Sequence, residues 1–90
     1  MLLPEKIFVI AGDYGQFKLF RANLADYLIR EGIEVRTNDI VYVSKPSYLY
    51  GFRDVAGYFV GTWRDRDDIE EIVSMLAHRG WSENFIEVEL

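Results

Sequence analysis

The chain has 90 residues, half of them apolar, with ten Lys and Arg against fifteen Asp and Glu for a net charge of −5. Such a composition excludes disorder and supplies one hydrophobic core. The absence of cysteine excludes disulfides, zinc–thiolate sites and cysteine nucleophiles, and a single histidine excludes a histidine triad or histidine–metal cluster within one chain.

The charge is unevenly placed. Residues 1–45 carry six basic and six acidic side chains, whereas residues 46–90 carry four and nine. An acidic half disfavours duplex nucleic acid as a partner. The opening residues MLLPEKIF show no basic segment followed by a long apolar one, and no apolar run reaches membrane-spanning length. The expectation is a soluble cytoplasmic protein with no membrane partner.

In chain order, the first element is a strand over residues 6–11. Ile7, Phe8, Val9, Ile10 and Ala11 are apolar without alternation, as in a central parallel strand covered on both faces. Residues 12–15 read as a glycine loop, with Asp13 in a turn or N-cap role. A helix is predicted over 16–31, with Phe17, Phe20, Leu24, Tyr27 and Leu28 as its buried stripe. Asp26 and Arg30 are spaced for an ion pair. Gly32 reads as the left-handed residue that ends the helix, with Ile33 covering it.

Residues 34–36 read as a short extended edge and 37–39 as a turn. The second strand is predicted over 40–43. Pro46 then suits the first turn of a short helix that Gly51 stops. The third strand is predicted over 57–62, followed by a loop over 63–66. A second helix begins near Asp67, with Asp65 or Asp67 as N-cap and with Ile69, Ile72, Val73 and Leu76 buried. Gly80 ends it, and Trp81 folds back on it. Residues 85–90 alternate, so Ile86, Val88 and Leu90 should face the core. Glu87 and Glu89 should face solvent and discourage unwanted pairing at a sheet edge.

Right-handed crossovers join these elements into a small Rossmann-like three-layer α/β domain. Its sheet is mostly parallel, in order 2-1-3 with the tail as an edge strand. The two main helices cover opposite faces, and residues 1–90 form a single domain.

Three short motifs carry a resemblance. Ala11, Gly12 and Tyr14 give AGxY; Tyr42, Val43, Ser44, Pro46, Leu49 and Gly51 surround the short helix; Val60, Gly61, Thr62 and Trp63 give VGTW before an acidic helix. Together they resemble a group of small proteins encoded by tailed bacteriophages, a family without an established activity. The resemblance implies an accessory protein acting in the host cytoplasm. It carries no catalytic residue across.

Two candidate sites follow from the residues. Parallel strands open their carboxyl ends on one edge, where helix N-termini offer free amides. Gly12, Tyr14, Gln16, Lys45, Ser47, Thr62, Trp63, Arg64 and Arg66 fall in those loops. In the functional reading a phosphate or nucleotide docks there, with Tyr14 or Trp63 stacking on a base. In the simpler reading Asp13, Asp65, Asp67 and Asp68 cancel the cations and the edge is solvated. No GxGxxG or GxxxxGK[ST] occurs, so no dinucleotide or ATP cofactor is expected.

The second candidate is aromatic. Tyr42, Tyr48, Tyr50, Phe52 and Tyr58 put five large rings into seventeen residues, and such residues are enriched at interfaces. The expected function is a non-catalytic interaction module that binds a host or phage protein, with a homodimer as a further form of assembly. The alternative is a nucleotide- or phosphate-recognising domain, extending to a small nucleotide-acting enzyme, with its site at the strand ends. No catalytic residue, metal ligand or cofactor is assigned.

Overall fold

The computed structural model describes residues 6–34, 36 and 39–89. Strand β1 (Ile7–Ala11) is buried at every position, which is why its sequence does not alternate. It pairs in parallel with β2 (Ile40–Tyr42) on one side and β3 (Gly57–Val60) on the other. Strand β4 (Phe85–Val88) adds to β3, also in parallel. The order is β2-β1-β3-β4, as expected, and all four strands are parallel.

Helix α1 (Tyr14–Arg30) covers one face of the sheet and α2 (Ile69–His78) the other. The α1 layer buries Val9, Ala11, Phe17, Phe20, Leu28 and Ile40. The α2 layer buries Phe8, Ile10, Leu49, Val55, Ile72 and Leu76. Among the described residues no helix is long and apolar enough to cross a membrane.

Both helix ends follow the predicted chemistry. At α1, the Ile33 amide donates to the Leu28 carbonyl at 2.9 Å, with Gly32 at φ 75°. At α2, the Trp81 amide donates to the Leu76 carbonyl at 2.8 Å, with Gly80 at φ 74°. Trp81 folds back into the core, and its indole N–H donates to the Arg53 carbonyl at 3.3 Å. Pro46 opens a 3-10 turn over Pro46–Leu49. Asp26 and Arg30 pair at 2.7 Å on the solvent side of α1.

Several expectations need correction. Tyr14 and Gly15 belong to α1 rather than to the loop, because Asp13 is extended and its carboxylate accepts the Gln16 amide at 2.8 Å. Helix α2 starts at Ile69, and Asp68 rather than Asp65 or Asp67 occupies its N-cap position, without a side-chain capping bond. Tyr27, Val73 and Ile86 are 58, 42 and 61% exposed instead of buried. Tyr27 and Val73 lie at the margins of their helical stripes. Ile86 lies on the α1 face of β4, where a single helix about 10 Å wide does not reach across four strands. The expected edge and turn over 34–39 involve Val35, Thr37 and Asn38, and the tail expectation involves Leu90; these four lie outside the described residues.

Candidate functional site

At the carboxyl ends of β1 and β3 the ladder stops and its last amides need other acceptors. Gln16, on the first turn of α1, supplies one. Its Oε1 accepts from the Gly12 amide at 3.1 Å and from the Thr62 amide at 3.0 Å, and its Nε2 donates to Thr62 Oγ1 at 2.9 Å. One side chain thus ties together the ends of two strands and a helix start.

The fit leaves no room at Gly12. A Cβ there would overlap Thr62 Oγ1 and lie 2.7 Å from Gln16 Oε1 and 2.9 Å from the Thr62 carbonyl carbon. Gly12→Ala should therefore cost about 1–3 kcal/mol, read as a lowered urea midpoint. In a Thr62→Ala background part of that loss should return, because the hydroxyl is gone while the backbone obstacle stays. An unchanged midpoint in Gly12→Ala would show that the strand ends separate without cost.

Arg66 sits beside this clamp. Its side chain is only 7% exposed. Nε and one terminal nitrogen donate to the two carboxylate oxygens of Asp68, each at 2.9 Å, and the other donates to the Ala11 carbonyl at 3.1 Å. The guanidinium also lies 5.8 Å from the centre of the Tyr42 ring. Hydrogen bonds from Arg66 hold the Asp68 carboxyl below the usual carboxylate range. An open groove of about 450 Å³ lies over these groups, lined by Gly12, Tyr42, Ser44, Asp65, Arg66, Asp67 and Asp68. Among the described residues no cluster of three or more His, Cys, Asp or Glu is placed to hold a metal ion.

The predicted strand-end residues separate into distinct places. Gly12, Gln16 and Thr62 form the clamp. Tyr14 is 53% exposed, packs against Phe17 and Tyr42 at 5.7 Å between ring centres, and has Lys18 6.0 Å away. Lys45 and Ser47 are exposed on the turn after β2. Trp63 turns away from the groove and lies over Phe59 at 4.3 Å between ring centres. Arg64 stacks on Trp63, 4.3 Å from its ring centre, and reaches β4, where it makes two hydrogen bonds with the Glu87 carboxylate. That contact holds the Glu87 carboxyl below its ordinary value. Both arginines thus have a carboxylate partner, and Asp65, Asp67 and Asp68 make the groove negative, so an entering anion would compete with groups already in place.

The five predicted interface rings also divide. Tyr42 packs on Phe17 at 5.2 Å and Tyr58 on Phe20 at 5.1 Å, both on the α1 face. Phe52 meets Phe8 at 5.1 Å on the opposite face. Tyr48 and Tyr50 remain 46 and 53% exposed. Tyr50 lines an open groove of about 510 Å³ with Ser74, Met75, His78 and Arg79 of α2 and its end.

Sequence reasoning counted Asp68 among four acids that cancel the cations without pairing it with Arg66, and it did not single out Glu87 as the partner of Arg64 or the Ala11 carbonyl as an acceptor. The alternation over 85–90 placed Glu87 off the core but not against Arg64. Compared with family models, with curated proteins and with solved structures, the chain matches none.

Proposed function

We propose that this chain is an interaction module, an accessory protein that binds a host or phage protein through the surface around Tyr48 and Tyr50. The observation that carries this reading is the exposure of these two rings on a turn whose Leu49 is fully buried. The buried residue anchors the turn, so the rings on either side are held in place without being needed by the core. Rigid aromatic side chains presented in this way bury large area on a partner at little entropic cost. The resemblance to phage proteins supports the choice of partner class.

The test is a double variant. Tyr48→Ala with Tyr50→Ala should melt within about 0.5 kcal/mol of wild type. It should also lose at least about tenfold in retention of a host protein captured from bacterial lysate by the wild-type chain, as removal of a hot-spot pair does. Unfolding of the variant would show that the fold itself needs these rings and end this reading. A light-scattering mass of one chain at high concentration would remove the homodimer form of it.

A further inference from the structure

We propose that the outer edge of β4 accepts an extended segment of another protein, with alternating apolar and cationic side chains, as a fifth strand. The inference is independent of the surface around Tyr48 and Tyr50 and shares no residue with it.

Among the described residues β4 pairs only with β3. The Gly61 amide donates to the Val88 carbonyl at 3.3 Å. In a parallel ladder the N–H and C=O of one residue point to the same side, and successive residues alternate. Val88 and Ile86 therefore turn their backbone groups toward β3, and Glu87 and Glu89 turn theirs outward. Phe85 also faces outward, but its amide is taken by the Ser82 carbonyl. The residues whose amide and carbonyl are both open to a new strand are Glu87 and, where the alternation continues past the end of β4, Glu89.

The two faces of this edge differ in chemistry. On the α1 face Ile86 is 61% exposed, beside half-buried Tyr58 and Val88. Phe20 packs on Tyr58, so its flank of α1 faces β3, and Tyr27 continues that flank at 58% exposure. This strip of sheet lacks cover. On the α2 face Glu87 stands beside Phe59, and Glu89 continues the same alternation just past the end of β4. Arg64 engages Glu87, and Glu89 adds further negative charge close by. A strand laid on this edge places alternate side chains on the two faces. Apolar ones would cover Ile86, and cationic ones would meet Glu89 and share the Glu87 carboxylate with Arg64.

A second copy of the chain fits less well. Antiparallel two-fold pairing that uses the open backbone groups sets Glu87 against Glu87 or Glu89 of the copy, and like charges directly opposite are destabilising. The same glutamates thus reject the chain's own edge and favour a basic strand.

The probe is an eight-residue peptide alternating Val and Lys, N-methylated along one side so that only its other edge can pair. Adding it should slow hydrogen exchange at the Glu87 and Glu89 amides at least tenfold and shift the Ile86 signals. Binding should weaken with salt. A peptide with Glu in place of Lys should bind at least tenfold more weakly, as should the Val–Lys peptide to the Glu89→Lys variant. The Tyr48→Ala, Tyr50→Ala variant should respond like wild type. Equal binding of the Glu peptide, or no change at residues 86–89 with millimolar peptide, would overturn the proposal. So would a dimer in solution that protects the same two amides without peptide.

Discussion

Gly57→Ala should destabilise the protein by about 3 kcal/mol or more, at or above the upper end of what overpacking usually costs. Gly57 is buried in β3 opposite Phe8 of β1. A Cβ at this position would overlap the Phe8 carbonyl oxygen and lie 2.7 Å from the Phe8 carbonyl carbon and 3.0 Å from its amide nitrogen. All three obstacles are backbone, so no rotamer change relieves them. Phe8 is held in turn by the hydrogen bond its amide donates to the Ala56 carbonyl at 3.0 Å, and β1 is pinned by β2 on its far side. The two strands would have to part at the centre of the sheet. A domain of this size has roughly 5–13 kcal/mol of stability in all, so urea denaturation should show a large loss of midpoint or an unfolded chain. A midpoint within about 0.5 kcal/mol of wild type would show that this close approach is not needed.

Asp68→Ala should cost about 1–3 kcal/mol, because it strips a buried guanidinium of its two carboxylate bonds and leaves the Ala11 carbonyl as its remaining acceptor. The pH dependence gives the sign. Arg66 lowers the Asp68 carboxyl in the folded state, so the folded chain binds that proton less readily than the unfolded chain does. The stabilisation is complete above the unfolded value near pH 4 and is lost as pH falls through the lower folded value. Wild type and Asp68→Ala should therefore differ most near neutral pH and converge below about pH 4. A difference that stays constant down to pH 2 would mean that the ion pair does not stabilise the fold. Breaking the Arg64–Glu87 pair should have little effect on stability, since both of its side chains stand well out in solvent.

Gly57 meets Phe8, and Arg66, although it pairs with nearby Asp68, is fixed against the Ala11 carbonyl; in such contacts between residues distant in the chain the sequence alone is least informative. It determined the architecture through local patterns. The unbroken apolar run of β1 required cover on both faces, and the three- and four-residue spacing in α1 and α2 supplied it. Gly32 and Gly80 marked the helix ends, Pro46 opened the short turn, and right-handed crossovers ordered the strands. Each of these signals acts within a few residues or follows from a general rule of chain connection, so each can be read without knowing the fold.

What each charged or aromatic side chain meets was decided by the tertiary structure. Arg64 and Arg66 are two positions apart, yet one stacks on Trp63 and reaches Glu87 on β4, while the other is buried against Asp68 and the end of β1. Tyr42, Phe52 and Tyr58 enter two different layers, while Tyr48 and Tyr50 remain outside. Ile86 has the sequence pattern of a core residue but stands in solvent, because one helix cannot cover the full width of a four-stranded sheet. Periodicity reports which face of an element a side chain leaves from. Only the packing of distant elements decides whether anything stands opposite that face, and of what charge.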